Sequence, residues 1–447
     1  METSNNTPKD WTENVPTLPI EENEKDNIIK VFGVGGGGSN AINHMYEKGI
    51  TGVSFVVCNT DSQALRNSPV PYKVRIGDLG AGSKPEVAQK AAEHYLDDIK
   101  AALGESTRMV FVTAGMGGGT GTGAAPIVAK TAKEMGILTV AIVTIPFAFE
   151  GKYKINKALK GVANLSKHVD ALLVINNEKL CELYPDLNFG NAFEKADDVL
   201  TNAAKAIAEI VTVPGYINID FADVETTMHD SKVAVMNTGY ASGEFRIKNA
   251  IEDALNSPIV NTKNISGARN ILLSLYCSHD HPISMKEVQQ INDFMDTVGD
   301  NVQEVIWGAT YQDDLNEQVK ITLIATGFDM DNIPGMSLYL NQNNTTPTLS
   351  PDTSDKDTSD EKEPNSEEEM MEIIRAVYGK PNTSTPQAPS GETKETEEKV
   401  EEEDVEKVGL DEEEEIIEVD LDDDFDPFAD DMEDAIATPV YLRNKQS

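Results

Sequence analysis

The sequence predicts an α/β protein: a doubly wound, mostly parallel-sheet domain joined by a long central helix to a smaller α/β domain, then a disordered acidic tail. Two observations support this prediction. Short β-branched apolar runs alternate with helical patterns between residues 28 and 328, which is the pattern of strand, crossover helix and strand. Acidic residues are concentrated after residue 328, in a segment with too few apolar side chains to form a core.

The first domain is predicted over residues 28–190 because its apolar runs are nearly continuous. Continuous runs are typical of parallel strands that are covered on both faces. The runs are IIKVF (28–32), GVSFVV (52–57), RMVFVT (108–113), LTVAIVTI (138–145) and DALLVI (170–175). Helical patterns over 84–103 and 124–134 lie between these runs, so the sheet is expected to be doubly wound.

A central helix is predicted over residues 191–214. Asn191 and Glu194 have the spacing of a capping box, and Pro214 ends the helical pattern. A helix of roughly 22 residues is about 33 Å long. The smaller α/β domain is predicted over 215–328, with strands near 232–237, 268–276, 301–309 and 319–326.

The two ends of the chain are predicted to be disordered. Residues 1–27 form a polar arm, and residues 329–430 form an acidic linker. Residues 329–447 hold 36 acidic and 9 basic residues, which is −27 of the chain's net charge of −40. Inside the linker, EEEMMEIIRAVYG (367–379) has apolar residues at helical spacing. A transient helix or a partner motif is one interpretation of this segment, and we assign it to solvated linker.

The last residues, 431–447, are predicted to be a partner-docking peptide. Pro439, Tyr441, Leu442 and Arg443 supply apolar, aromatic and positive side chains after the acidic linker. That composition is typical of short segments that dock on another protein. The alternative is an unremarkable terminus.

The charge and the apolar pattern exclude several classes of function. A net charge of −40 repels a phosphate backbone and an anionic bilayer, so no nucleic-acid partner is expected. The first residues lack the basic and apolar regions of a signal peptide, and the longest apolar stretch, 136–149, is too short to span a membrane. The three cysteines form no disulfide framework. We expect a cytoplasmic protein without direct membrane insertion.

A glycine-rich segment, GVGGGGSNA (33–41), follows the first strand and leads into a helix. Glycines let the backbone turn sharply and direct N–H groups at an anion, with the helix N-terminus behind them. Alone, this pattern also fits a dinucleotide site with Asp61 as the ribose-binding acid, or a structural turn.

Two further segments change this interpretation. AGMGGGTGTGAAP (114–126) follows another strand, and LGAGSKPE (79–86) is a third candidate loop. The carboxyl ends of parallel strands meet at one edge of a sheet, so these loops are expected to lie together. Three loops suit a triphosphate better than a pyrophosphate between two ribosides. The sequence contains no GxxxxGK[ST], which excludes a Walker-type P-loop.

A pair of carboxylates stands out after the central helix. Asp220 and Asp223 lie three residues apart in NIDFADVETTM (218–228). Carboxylates at this spacing orient a water molecule or help to hold a cation. The alternative is that they cap a helix and carry solvated charge.

The segment GGGTGTG (117–123) is the tubulin-family signature, and the chain resembles the tubulin/FtsZ family of GTPases from about residue 28 to 328 and again at its terminal peptide. Other shared segments are NTDSQAL (59–65), GAGSKPE (80–86), PFAFEG (146–151), INNEKL (175–180), AFEKADDVL (192–200) and NIDFADV (218–224). The resemblance implies a filament-forming GTPase that converts GTP to GDP and organises the bacterial division ring at mid-cell.

The resemblance also implies which residues bind the nucleotide. They are Gly36, Gly37, Gly38, Ser39 and Asn40 in the first loop, Gly119, Thr120 and Gly121 at the phosphates, Ala81 and Gly82 near the γ-phosphate, Glu150 and Lys154 around the ribose, and Asn177, Phe193 and Asp197 at the guanine. Lys154 replaces the arginine that is usual in this family, which keeps the charge but loses the planar fork. Phe193 and Asp197 share a helix face, so a ring can stack on the purine while a carboxylate accepts from guanine N1–H and N2–H₂.

No metal site made by the protein alone is predicted. The resemblance implies Mg²⁺ held mainly through the phosphates. Cys277, His279 and His281 in CSHDHP (277–282) are too few for a separate metal centre, so we interpret them as a loop or strand end.

The length of the central helix predicts how the reaction is organised. Asp220 and Asp223 lie about 30 Å from the guanine contacts, so they would act on the nucleotide of another copy. Such a head-to-tail contact does not close and generates filaments. The expected partners are therefore the chain itself and, at the terminal peptide, membrane-tethering and regulatory division proteins. The alternatives are a nicotinamide-dependent Rossmann oxidoreductase and a non-polymerising nucleotide-binding adaptor.

Overall fold

A mixed sheet of ten strands forms the centre of the protein. The computed structural model describes residues 27–186, 188–255, 267–297, 302–344 and 367–378. The strands are β1 Ile29–Val34, β2 Ser54–Asn59, β3 Tyr72–Arg75, β4 Met109–Gly115, β5 Leu138–Ile145, β6 Ala171–Asn176, β7 Lys232–Ala241, β8 Asn270–Cys277, β9 Glu304–Tyr311 and β10 Val319–Phe328. Their order in the sheet is β3-β2-β1-β4-β5-β6-β7-β10-β8-β9.

Helices connect the strands and cover the sheet. They are α1 Gly35–Glu47, α2 Ser62–Asn67, α3 Pro85–His94, α4 Leu96–Leu103, α5 Thr120–Glu134, α6 Lys152–Leu165, α7 Glu178–Leu183, α8 Phe189–Thr212, α9 Phe221–Met228, α10 Arg246–Leu255, α11 Met285–Thr297, α12 Met336–Asn344 and α13 Glu367–Tyr378. None of the helices in the described ranges is both long enough and apolar enough to cross a bilayer.

The first six strands are parallel, and all of them except β3 are buried on both faces, as the continuous apolar runs predict. Val31 and Phe111 belong to one buried apolar cluster, whereas their neighbours Phe32 and Val112 belong to another. The five predicted strands of this half correspond to β1, β2, β4, β5 and β6, so the doubly wound fold is confirmed. Strand β3 was not predicted because it is short, lies at the edge and is mostly exposed.

The second half of the sheet continues directly from the first. Strand β7 pairs with β6 through two registered pairs, Ala171 with Lys232 and Leu172 with Val233. Beyond it, β7–β10 and β10–β8 are antiparallel, and β8–β9 is parallel. The smaller α/β domain predicted from the sequence therefore extends the same sheet.

Helix α8 is the long central helix, and it begins earlier than predicted. The side chain of Asn188 accepts a hydrogen bond from the Asn191 backbone N–H at 2.9 Å. The predicted capping box at Asn191 is therefore wrong, because the residues between Asn188 and Asn191 already belong to the helix. Leu200 and Ile207 on one face of α8 are buried in the apolar cluster that includes β1, β4 and β5.

Other helices also differ from the predicted bounds. The pattern over 84–103 is two helices, because Tyr95 leaves the helical region with φ −104° and ψ 32°. The segment predicted as an acidic linker over 329–430 contains α12 and α13. Both helices bury apolar side chains, and Met336, Ile373 and Val377 are each at most 2% exposed. The acidic average of the segment conceals these short apolar faces.

Gly38 determines how closely α1 approaches the sheet. A Cβ atom at this position would lie 2.3 Å from the Thr113 backbone oxygen of β4. At Gly36, two residues earlier in the same helix, a Cβ would meet nothing within 4 Å. The two glycines therefore have different structural requirements.

We expect Gly38→Ala to destabilise the nucleotide-free protein by about 1–3 kcal/mol, since an added methyl group forces α1 away from β4. Gly36→Ala is the matched control and should leave stability unchanged or raise it by about 0.5–1 kcal/mol through helix propensity. Urea unfolding followed by circular dichroism measures both effects. Equal stability of the two variants would contradict this account of the packing.

Candidate functional site

The two glycine-rich segments meet at the carboxyl edge of the parallel strands. Helix α1 begins directly after β1, and α5 begins shortly after the neighbouring β4. Gly35, at φ +73°, makes the turn between β1 and α1, and a Cβ there would lie 2.7 Å from the Gly121 backbone nitrogen. The predicted phosphate loops are therefore in direct contact. The segment described as a loop in the sequence is largely the first turn of each helix.

The third predicted loop joins the same place. A Cβ on Gly119 would lie 2.9 Å from the Cβ of Ala81 and 3.1 Å from the Lys84 backbone nitrogen. Gly82 lies beside Ala81 with φ +56°, a conformation that glycine adopts without steric cost. Lys157 of α6 donates to the Ser83 carbonyl oxygen at 3.0 Å and ties this loop to the domain.

The chemistry of this edge suits a polyanion. Neither α1 nor α5 has a side-chain N-cap, so their first backbone N–H groups and the positive ends of two helix dipoles face the same region. The hydroxyl of Ser39 is buried and has no hydrogen-bond partner in the part of the chain that the structure describes. The Thr120 hydroxyl lies 2.7 Å from the Thr60 hydroxyl. Thr60 was missed in the sequence, although it belongs to the NTDSQAL segment that follows β2.

The predicted ribose contacts lie on a short 3₁₀ turn after β5. Glu150 closes this turn by accepting from the Phe147 backbone N–H at 2.9 Å. Lys154, one turn into α6, forms a close ion pair with the Glu150 carboxylate. The ring of Phe147 contacts that of Phe193 edge to face, with centroids 5.1 Å apart. The ribose and base residues predicted from distant parts of the sequence are therefore neighbours.

Asn177 lies at the carboxyl end of β6, where its backbone N–H donates to the Ile145 carbonyl oxygen at 3.3 Å. Its side-chain oxygen is buried and has no hydrogen-bond partner among the described residues. An unpaired buried amide oxygen is costly unless a ligand satisfies it. Ser39 in the first glycine segment and Asn177 after β6 each carry a buried oxygen that is unpaired within the described ranges.

Two adjacent carboxyl groups on α8 have opposite electrostatic environments. Burial raises the pKa of Asp197 to about 7; the nearby His44 opposes this shift, and Asp198 and Glu194 add to it. Burial also acts on Asp198, but hydrogen bonds from Lys48 and His44 hold its pKa at about 2. Asp198 is thus a structural ion-pair residue that joins α1 to α8. Asp197, the predicted guanine contact, has no ion-pair partner among the described residues.

The predicted catalytic aspartates lie elsewhere in the fold. Asp220 and Asp223 cap α9 reciprocally, each side chain accepting from the other's backbone N–H at 2.9–3.0 Å. Helix α9 ends at the amino edge of the sheet, where His229 lies 3.3 Å from Asp170 just before β6. The glycine segments lie at the opposite, carboxyl edge. The structure therefore separates the aspartates from the nucleotide loops of the same chain.

Other candidate groups have structural roles. Asp61 caps α2 by accepting from the backbone N–H groups of Gln63 and Ala64. His279 lies 2.7 Å from Asp313 and stacks on a tyrosine ring.

In the described ranges, one group of possible metal ligands occurs, formed by Asp170, His229 and Asp230, and the ammonium group of Lys133 lies between its two carboxylates. The docking peptide residues Pro439, Tyr441, Leu442 and Arg443 lie outside the described residues.

Two family models match the chain. Residues 28–185 match the GTPase domain of the tubulin/FtsZ family, and residues 232–329 match the C-terminal domain of the FtsZ family. The cell division protein FtsZ of Porphyromonas gingivalis is 52% identical over 310 residues, which is 68% of each chain. That of Aquifex aeolicus is 45% identical over 309 residues, 67% of this chain and 83% of the relative.

Solved structures agree with this relationship. An empty FtsZ dimer from M. jannaschii is 40% identical, with a TM-score of 0.61, covering 67% of this chain and 88% of that one. The GDP-bound CetZ1 monomer of Haloferax volcanii shares the fold at 20% identity, with a TM-score of 0.58 over 68% of this chain and 94% of that one. These matches exclude the alternative of a nicotinamide-dependent oxidoreductase. The chain belongs to the tubulin/FtsZ family and, within it, to the FtsZ cell-division GTPases, which bind and hydrolyse GTP.

Proposed function

We propose that the chain assembles head to tail into filaments, and that Asp220 and Asp223 of one subunit complete the GTP site of the next. The observation that carries this proposal is the separation of the two groups. The glycine segments lie at the carboxyl edge of the sheet, whereas α9 ends at its amino edge. Helix α8 has 24 residues and is therefore about 36 Å long. A carboxylate beyond its end does not reach a nucleotide whose base lies at its beginning.

GTP binds along the carboxyl edge in this proposal. The contacts are Gly36, Gly37, Gly38, Ser39, Asn40, Gly119, Thr120 and Gly121 with the phosphates, Ala81 and Gly82 near the γ-phosphate, Glu150 and Lys154 with the ribose, and Asn177, Phe193 and Asp197 with the guanine. The two uncapped helix N-termini and the orphaned oxygens of Ser39 and Asn177 support this arrangement. None of these groups is a carboxylate at the phosphate end, so Mg²⁺ would be held mainly through the phosphates and would neutralise their charge.

The reaction is proposed to need both surfaces. Asp220 is exposed, and each aspartate uses one oxygen in the capping pair, which leaves the other to orient the attacking water. The backbone N–H groups of α1 and α5 stabilise the charge on the transferred phosphoryl group. Because the donor and acceptor surfaces lie on opposite ends of the chain, repeating the contact produces a filament rather than a closed ring. The M. jannaschii relative, solved as a dimer, is consistent with self-association.

The terminal peptide and the cellular location complete the proposal. We infer that residues 431–447 dock on membrane-tethering and regulatory division proteins, and that the filaments work in the cytoplasm at the mid-cell division ring. The support is the composition of the peptide, which places a tyrosine and two basic residues within 437–447 after a strongly acidic segment. A non-polymerising adaptor would leave the two aspartates of α9 without a role in the reaction.

Asp197→Asn is expected to stabilise the nucleotide-free protein at pH 8 and to weaken GTP binding. The raised pKa means that the folded protein carries a disfavoured charge above pH about 7, so its removal should raise the free energy of unfolding by about 1–2 kcal/mol. The gain should shrink as the pH falls from about 7 toward about 4, because the native carboxyl group is then protonated.

Asp198→Asn is the matched control, and it should lower the free energy of unfolding instead of raising it. The lowered pKa of Asp198 stabilises the folded protein at any pH above the pKa of this group in the unfolded chain, which is near 4. This stabilisation is lost as the pH falls toward 2. Urea unfolding at pH 8 and pH 5, with GTP affinity measured at pH 8, tests both variants. A lower free energy of unfolding in Asp197→Asn would contradict the conclusion that burial disfavours the charge of this carboxyl group.

Asp223→Asn should retain GTP binding and lose about 10²-fold or more in turnover, as when a charged group that positions the nucleophile is removed. The asparagine oxygen still accepts the capping hydrogen bond, so a loss of turnover would come from the missing negative charge and not from a missing helix cap. Glu225→Gln, exposed on the same helix, is the control and should keep full activity. Measurements are phosphate release and equilibrium binding.

Mixing two inactive variants tests whether Asp223 acts on the GTP of its own chain or on that of a neighbouring chain. Asp223→Asn mixed with a variant that binds no GTP should regain part of the activity, because hybrid contacts pair an intact nucleotide site with an intact α9. Activity that stays at the sum of the two separate samples would argue against completion by a neighbour, as would full activity in dilute monomers.

Deleting residues 437–447 should leave GTP turnover unchanged while abolishing recruitment to membrane-bound division proteins. The peptide lies beyond the acidic segment, and the family match ends at residue 329. Co-sedimentation with vesicles carrying a membrane-tethering division protein measures recruitment. Replacing the same residues by a glycine–serine segment of equal length is the control for tail length. Retained recruitment in both variants would refute the docking role.

A further inference from the structure

Helix α13, inside the acidic segment, packs on the nucleotide-binding half of the protein. Ile373 and Val377, one turn apart, are each 2% exposed. A Cβ at Gly335, which has φ +79°, would lie 2.2 Å from a methyl carbon of Val377. The turn before α12 therefore needs a glycine to admit α13. This fit is specific, whereas an acidic segment of average composition would remain in solvent.

Two hydrogen bonds attach the end of α13 to the edge of the sheet. The Tyr378 hydroxyl donates to the Pro146 carbonyl oxygen at 2.6 Å. The side-chain amide of Asn176 donates to the Val377 carbonyl oxygen at 3.1 Å and is buried. Burial, and then the nearby Glu178 and Glu150 carboxylates, raise the pKa of Tyr378, so its hydroxyl remains a donor at neutral pH.

Both attachment points lie next to residues of the proposed nucleotide site. Pro146 directly precedes Phe147, the N-cap of the 3₁₀ turn that ends at Glu150, and Asn176 directly precedes Asn177. The two turns are also joined to each other. Asn176 accepts from the Glu178 backbone N–H at 3.0 Å, and Glu178 accepts from the Ala148 backbone N–H at 2.9 Å. One connected hydrogen-bond network therefore runs from α13 to the ribose and guanine contacts.

We propose that α13 is a positioning element of the GTP site, and that Tyr378 and Val377 hold the β5 and β6 turns in the geometry that binds the nucleoside. The inference rests on the proposed nucleotide site described above. The turns after β5 and β6 are joined to each other by the Glu178 side chain and by the Asn177 backbone N–H on the Ile145 carbonyl oxygen, and the docked helix adds a hydrogen bond at each. Release of α13 frees these turns, whereas the first turns of α1 and α5 keep their packing against β1, β4 and each other.

The independence of the nucleoside turns from the phosphate segments has a kinetic consequence. Loss of the nucleoside contacts weakens the binding of GTP and GDP alike, because both share the ribose and the base. The chemical step, which depends on the phosphate loops and the aspartates of α9, keeps its rate once GTP is saturating. A helix that only stabilised the fold would lower kcat and thermal stability together and would not act selectively on KM.

The test compares three variants of the full-length protein. Val377→Asp places a charge on the buried face of α13, and Ala376→Asp places the same charge one residue away on the exposed face. Tyr378→Phe removes the hydrogen bond to Pro146 and keeps the ring. The measurements are the dissociation rate of a fluorescent GDP analogue at a concentration below assembly, kcat and KM for GTP, and hydrogen exchange over residues 146–151 and 175–180.

We expect Val377→Asp to release GDP at least about fivefold faster, the low end of coupling between linked sites, and to raise KM with kcat unchanged. Tyr378→Phe should act in the same direction by roughly twofold to fivefold, as for one lost neutral hydrogen bond. Ala376→Asp should match the parent protein. Hydrogen exchange should rise in the two turns and remain unchanged in the first turns of α1 and α5.

Unchanged GDP release in both Val377→Asp and Tyr378→Phe would overturn the inference, as would equal effects of Val377→Asp and Ala376→Asp. Reduced kcat together with a lowered unfolding midpoint in Tyr378→Phe would show a purely structural role and would equally overturn it. Failure of the parent protein to bind GDP would instead contradict the proposed nucleotide site, so the two failures are distinguishable.

Discussion

The close approach of two helix N-termini to the carboxyl edge of the sheet is the constraint on which the nucleotide site depends. Gly38 lies against the Thr113 carbonyl oxygen, and Gly35 lies against Gly121. A side chain at Gly38 would push α1 away from β4, and a side chain at Gly35 would push α1 away from α5. Their unpaired N–H groups would then no longer converge on one anion. The glycines thus matter for distance between backbones as much as for the turns that they permit.

A second constraint is the length of α8. The helix begins beside the residues proposed to contact the nucleoside and ends before the segment that carries Asp220 and Asp223. Its buried face packs along the sheet, so the separation is rigid. The reciprocal capping pair also gives the two carboxylates a defined orientation without neutralising them. This orientation supports the proposal that the pair acts on the nucleotide of another subunit.

The electrostatics of α8 and the packing of α13 extend the site beyond the glycine segments. Asp197 and Asp198 are adjacent, yet burial disfavours the charged form of Asp197, whereas Lys48 and His44 stabilise the charged form of Asp198. A group kept in an unfavourable state by the fold is typical of functional positions. Helix α13 connects the acidic segment to the turns that would contact the nucleoside, which gives part of that segment a role close to the chemistry.

The sequence by itself determined five of the first six parallel strands, the glycine segments and the family, because continuous apolar runs and GGGTGTG are local patterns. It did not predict the Asn188 cap or the break at Tyr95, which depend on where each turn meets its neighbours. Only the tertiary structure decided that Asp197 and Asp198 differ, since burial and the partners on α1 come from distant residues. It also decided that α13 packs on the core: the apolar face was visible in the sequence, but the complementary glycine at residue 335 and the acceptor at Pro146 were not.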